Sequence, residues 1–238
     1  MRLSLLIDSS IHGVFFAMLS YTKDSNDVSV VYKNFWDKYD GSVGAISLFL
    51  QEALNSINFC NNDIDKIFIS IGPGSFTGIK IGLSFCYGFV QALKAQKIPV
   101  NVIGFSSLKI LLRELQLSEK TPCIVLKATK DEGYYAVSND ANENEVNTLD
   151  LKTFSNRINF FNKHNIFIIN KWQEFEYVLK SLGTVQFNIL EYQSCNEILL
   201  RHMIMCIKNF DNIKQADDYM WAQPKPLYLR NPAIFGKR

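Results

Sequence analysis

The chain has 238 residues, of which 47% are apolar, and a formal charge of only +2. That length suffices for one large domain or two medium ones with a sizeable core. So small a charge argues against a protein whose main task is to grip nucleic acid, which calls for a concentrated basic face.

The opening MRLSLLIDSS has one Arg and a five-residue apolar run that Asp8 ends, too short for a secretory signal. No apolar run approaches the ~20 residues that cross a bilayer. The five cysteines (Cys60, Cys86, Cys123, Cys195 and Cys206) are scattered, odd in number and form no CxxC pair, which fits a reducing compartment better than a disulfide framework. The expectation is a cytoplasmic protein with no membrane segment.

Short apolar runs at 3–7 (LSLLI), 13–19 (GVFFAML) and 27–32 (DVSVVY) read as strands. Only DSSIHG joins the first two, which suits a hairpin. From Val43 to Ile57 the period changes: Val43, Ile46, Leu50, Leu54 and Ile57 recur at three and four, the mark of a helix. Strands follow at 66–71 and 99–105, separated by a glycine-rich turn and a second helix over 77–94. The order β-β-β-α-β-α-β implies a mixed sheet covered by helices, as in actin-like and ribonuclease-H-like domains. Further on, a helix is expected after GFSS from Leu108, Leu111, Leu112 and Leu115. Strands are expected at 123–128 and 133–138, then a polar loop or hairpin tip in SNDANENEVN. NIFIIN and TVQFNIL read as strands, and WQEFEYVLKSL and CNEILLRHMIMCI as helices. The proline-containing last twenty residues are expected to lie extended. The domains are taken as 1–104 and 105–238, the C-terminal segment returning to the first.

Residues 70–84, SIGPGSFTGIKIGLS, pose the central question. A P-loop needs GxxxxGK[ST], and a dinucleotide fingerprint needs GxGxxG. Here Gly74 and Gly78 are too close for the first, no Ser or Thr follows Lys80, and Gly78 comes one residue late for the second. The context still suits an anion, because a strand, a glycine loop and a helix start would aim free N–H groups outward. The alternative is a tight strand-to-helix turn capped by Ser75 or Thr77. The helix itself is apolar nearly all round, so it should be buried on more than one side. Gly82 and Cys86 share one line along it, and Ser84, Gly88 and Ala92 another. The second line, with Phe85 and Phe89 beside it, is expected to face outward.

No catalytic set stands out. His12, His164 and His202 form neither HxxxH nor HExxH, and GxSxG is absent. No metal and no cofactor is expected. Asp8 ends the first strand, where a carboxylate either binds metal or phosphate or caps the SS turn. His202 reads as a partly buried helix residue and Cys86 as a small core residue. Lys127, Lys130, Asp131 and Glu132 read as a solvated turn.

GPGSFTGIKIG at 72–82 resembles the signature GPGSFTG(I/L/V)RIG of the bacterial TsaB family, also called YeaZ. LLIDSS is similar to that family's LAIDTS opening. KATKDEGYY resembles its DARRGEVY segment, with Ala128, Glu132 and Tyr134 in register, and PLYLRN at 226–231 its closing PVYLRN. The landmarks stand in the family's order from end to end. This chain departs in having Lys80 for Arg, Lys127 and Thr129 for Asp and Arg, and DKYDGSVGAIS before the first helix in place of a polar, His-containing approach.

The resemblance implies an α/β fold of two actin-like subdomains with mixed sheets flanked by helices. It implies a non-catalytic subunit of the complex that forms threonylcarbamoyladenosine in tRNA, pairing with TsaD through its N-terminal helices. The ATPase TsaE would dock on that pair, and tRNA would be met only through the complex. Whether the isolated chain forms a homodimer stays open. The expected interface draws on Val43, Ile46, Leu50, Gly82, Ser84, Phe85, Gly88, Phe89 and Ala92. The motif loop is Gly72, Pro73, Gly74, Ser75, Phe76, Thr77 and Gly78. A glycoprotease-like hydrolase and an actin-like small-molecule kinase using Asp8 remain the alternatives.

Overall fold

The computed structural model describes residues 1–22, 27–37, 42–57, 60–115, 121–138, 144–183, 186–208, 221–222 and 225–226. They fall into two units, one holding Met1–Ser107 and the described residues from Leu199 on, the other Leu108–Ile198.

The first unit is built on a sheet of β1 (Arg2–Asp8), β2 (Val14–Tyr21), β3 (Val28–Trp36), β4 (Ile64–Ser70), β5 (Asn101–Phe105) and the two-residue β11 (Trp221–Ala222). The strand order is β11-β5-β4-β1-β2-β3. β1, β2 and β3 form antiparallel neighbours, whereas β4 and β5 run parallel to β1. Alternation decides which side chains meet the helices. Leu3, Leu5 and Ile7 of β1, Val14, Phe16 and Met18 of β2, and Ile64, Ile67 and Ile69 of β4 share one core with the helices α1 (Ser42–Ile57) and α2 (Phe76–Ala95). The opposite side chains of β1 and β4, including Ser4, Leu6, Asp8, Lys66, Phe68 and Ser70, are buried too. Burial on both faces is why these strands read as near-continuous apolar runs.

By length and composition α2 is apolar enough to cross a bilayer. Its contacts are those of a core helix: Ile79, Leu83, Cys86 and Val90 are buried in the cluster with the sheet and α1.

The second unit carries a five-stranded sheet, β10-β9-β6-β7-β8. Its strands are β6 (Pro122–Lys127), β7 (Glu132–Ser138), β8 (Asn144–Asp150), β9 (Asn165–Ile169) and β10 (Phe187–Leu190). The same unit holds α3 (Ser107–Glu114) from Leu108 on, α4 (Ile158–Phe161), α5 (Gln173–Ser181) and α6 (Tyr192–Lys208) as far as Ile198. An aromatic core fills this unit. Phe154 lies 4.7 Å from Phe161 and 5.0 Å from Phe175, and Trp172 lies 5.2 Å from Phe175.

The resulting architecture is the α/β, mixed-sheet fold expected of an actin-like chain. Two features differ from expectation. Asn144–Asn147, read as part of a polar loop or hairpin tip, belong to β8, the antiparallel partner of β7, because that pairing outweighs the weak strand preference of asparagine. The segment 154–161 forms a 3-10 turn and α4, for which no element was expected. PLYLRN lies largely outside the described residues.

Candidate functional site

The glycine loop is closed by the protein's own backbone. β4 ends at Ser70, Gly72 and Gly74 take φ values of 96° and 158°, and the Gly72–Pro73 bond is cis. The Ser75 N–H donates to the Ser10 carbonyl at 2.7 Å. Ser75 also caps α2, its Oγ accepting from the Gly78 N–H at 3.1 Å, so one orphan donor of the helix start is satisfied internally. The glycines are required by close approach. A Cβ on Gly74 would lie 2.0 Å from the Ser10 carbonyl oxygen, and one on Gly78 would lie 1.8 Å from that of Ser9. Of the remaining motif-loop residues, Pro73 is buried, whereas Phe76 and Thr77 are exposed. Lys80 lies over the Phe76 ring, 4.0 Å from its centroid.

Beside the loop lies a buried polar cluster. The Asp8 carboxylate accepts from the Ser10 N–H and hydroxyl at 2.8 Å each, and from the Ser107 hydroxyl at 2.9 Å. The Ser70 hydroxyl donates to Ser10 Oγ at 2.7 Å. Of the two roles open to Asp8, the cap of the SS turn is the one seen.

The α1–α2 surface has the opposite character. Ser84, Gly88 and Ala92 are exposed, and nothing lies within 4 Å of a Cβ built on Gly88. Phe85 and Phe89 are half-buried and stack with centroids 5.8 Å apart and planes at 15°. They line a groove of about 380 Å³ with Ser47, Leu50, Gln51 and Leu54. Leu48 and Tyr87, 45% and 47% exposed, extend the apolar surface. Charge is nearly absent. α2 carries none between Lys80 and Lys94, and the one charged residue of α1, Glu52, accepts a hydrogen bond from Tyr32. Ile46 and Gly82, expected at this face, instead point into the chain's own core, and Leu50 is only 8% exposed. A Cβ on Gly82 would meet Ser9 Oγ at 2.4 Å. The side chain of Val43 lies outside the described residues.

The other titratable groups are dispersed. His12 pairs with Asp37 at 2.8 Å, His164 Nδ1 lies 3.1 Å from the Thr121 hydroxyl, and His202 is buried. Burial pushes the Cys86 thiol up to about 12. Among the described residues no three His, Cys, Asp or Glu side chains gather as a metal cluster. Lys127, where the family has Asp, pairs with Glu174 at 3.1 Å. Gly133 admits the Trp172 ring, whose nearest carbon would lie 2.5 Å from a Cβ there, and the Trp172 indole N–H donates to the Lys130 carbonyl at 3.0 Å. The KDEGYY segment is thereby a hairpin fastened to the start of α5.

Sequence reasoning missed the serine cluster as a unit. Its only visible sign was DSS at one strand end, because Ser70 and Ser107 arrive from distant strands and helices.

A family model described as TsaD, tRNA N6-adenosine threonylcarbamoyltransferase, matches residues 43–154, which include α1, the glycine loop and α2. The tRNA N6-adenosine threonylcarbamoyltransferase of Prosthecochloris aestuarii is 36% identical over 62 residues, which are 26% of this chain and 18% of that one. The match thus spans less than a fifth of the length of that curated relative. Among solved structures, an uncharacterised Pseudomonas aeruginosa protein with similarity to peptidase YeaZ superposes with a TM-score of 0.61 at 14% identity, over 97% of this chain and all of the other. YeaZ from the same organism gives 0.58 at 16% identity, over 96% of this chain and all of the other. The fold of these two structures is thus shared over nearly the whole chain.

Proposed function

We propose that this chain is a non-catalytic subunit of the system that forms threonylcarbamoyladenosine in tRNA, pairing with TsaD through α1 and α2. The observation that carries the reading is the exposed, nearly uncharged α1–α2 surface, with its Ser84–Gly88–Ala92 line, stacked Phe85 and Phe89, and groove. Small side chains let a partner helix approach closely, and the absence of charge spares both sides a desolvation cost. On this reading the protein works in the cytoplasm, TsaE docks on the pair, and tRNA is met through the complex.

The internal bonds of the glycine loop support a scaffold over a kinase, since both Asp8 oxygens and the Ser75 N–H already have partners within the chain. They also weigh against a hydrolase. The hydroxyls of Ser10, Ser70 and Ser107 are buried and directed at Asp8 or at one another, with no histidine or lysine among their partners in the described residues.

Co-expression with TsaD from the same cell tests the pairing. The wild-type chain should co-elute with TsaD, and Gly88→Arg should weaken the pair by ~100-fold or more, because a charge forced between packed helices is left without a partner. Since space around Gly88 is open in the free chain, the variant should keep its circular dichroism. Co-elution of Gly88→Arg at unchanged affinity would remove this face from the interface.

A further inference from the structure

We propose that Asp8, Ser10, Ser70 and Ser107 form an internal lock that holds the glycine loop shut on the β1–β2 turn and thereby fixes where α2 begins.

The four side chains come from four places: the end of β1, the turn after it, the end of β4 and the start of α3. All are at most 3% exposed. Their protons can be placed one by one. The Ser10 hydroxyl donates to one Asp8 oxygen and the Ser107 hydroxyl to the other, at 2.8 and 2.9 Å, while the Ser70 hydroxyl donates to Ser10 Oγ at 2.7 Å. Every hydroxyl proton has an acceptor, and the carboxylate also takes the Ser10 N–H at 2.8 Å. A buried network satisfied in this way specifies one geometry, whereas removing one member strands the others.

What that geometry fixes is the Ser10 backbone. Its N–H is held by Asp8, and its carbonyl receives the Ser75 N–H at 2.7 Å. Ser75 then governs the first turn of α2 twice, through Oγ to the Gly78 N–H at 3.1 Å and through its carbonyl to the Ile79 N–H at 2.9 Å. A continuous path runs from Ser107 through Asp8, Ser10 and Ser75 into the helix. The contacts of Gly74 and Gly78 with the Ser10 and Ser9 carbonyls clamp the same two segments together by shape. A loop of this sequence left open would present the Ser75 N–H to an anion. Here the lock gives that donor to Ser10. The inference does not depend on pairing with TsaD.

Amide hydrogen exchange on the full-length chain tests it, resolved to single residues by nuclear magnetic resonance. Ser107→Ala should speed exchange of the Ser75 amide by ~10-fold, the order expected for losing one hydrogen bond to a charged group. Ser70→Ala, which leaves both Asp8 oxygens occupied, should have a smaller effect, and Asp8→Ala the largest. Amides of β2 and β3 should keep their wild-type rates in the two serine variants. Unchanged exchange at Ser75 in Ser107→Ala would overturn the proposal. So would equal acceleration throughout the sheet, which would make the cluster a general stability element. If Asp8→Ala does not fold, the order of Ser107→Ala over Ser70→Ala still decides the matter.

Discussion

Two glycines of α2 should respond in opposite directions to the same substitution. Gly88 sits mid-helix with nothing within 4 Å of a built Cβ. Alanine there relieves the unfolded-state entropy and poor helix propensity of glycine, worth ~1 kcal/mol, with no packing cost to offset it. In a chain of this size that raises the melting temperature by ~2–4 °C. Gly78 belongs to the first turn of the same helix, but its Cβ would lie 1.8 Å from the Ser9 carbonyl oxygen and 3.2 Å from Ser75 Oγ. The obstacle is backbone, held by the turn that follows β1, so the clash is relieved only by moving the loop or the helix. Overpacking of this kind costs ~3 kcal/mol or more, well beyond the propensity gain. Gly78→Ala should therefore lower the melting temperature by ~6 °C or more. Urea unfolding followed by circular dichroism, with calorimetry to separate transitions of the two units, gives both numbers. A destabilised Gly88→Ala would mean that position 88 is already covered in the free chain, which would undo the argument for an open face. A neutral Gly78→Ala would mean that the loop does not pack on the Ser9–Ser10 backbone.

Two further outcomes follow from burial. Iodoacetamide at neutral pH should label a single fast-reacting thiol per chain, Cys60, since Cys86, Cys123, Cys195 and Cys206 are buried and burial keeps Cys86 and Cys123 protonated; a second fast thiol in the native protein would contradict the core assignment. Burial first, and then the bond to Asp65 and its charge, push the Tyr21 phenol above its ordinary range. The folded state thus holds that proton more tightly than the unfolded one, so its stabilisation is present below pH ~10 and lost as pH rises further. Tyr21→Phe should flatten the alkaline decline of the unfolding midpoint, and a slope identical to wild type would show that Tyr21 does not contribute to it.

Most strands and the two long N-terminal helices were legible because burial on two faces writes itself as apolar runs, and burial on one face as a period of three and four. Ile46, Leu50 and Leu54 mark α1 as plainly as Leu3–Ile7 marks β1. The missed turn at 154–161 had a signal too, since Phe154, Ile158 and Phe161 stand at helical spacing and Phe154 and Phe161 are wholly buried. The facing of α2 was harder, for a physical reason. A helix apolar nearly all round has no single wet side, so periodicity cannot rank its small-residue lines. What ranks them is the β1–β2 turn. Ser9 lies against Gly78 and Gly82, which turns that line and Cys86 inward and leaves Ser84, Gly88 and Ala92 exposed. The same contact resolves the likeness to a phosphate loop. A nucleotide-binding loop uses glycine so that a phosphate can approach the backbone, and this loop uses it so that the Ser9 and Ser10 carbonyls can. Both needs select the same residue type after a strand and before a helix. The atom that tells them apart lies far upstream in the chain, where no local spacing rule can see it.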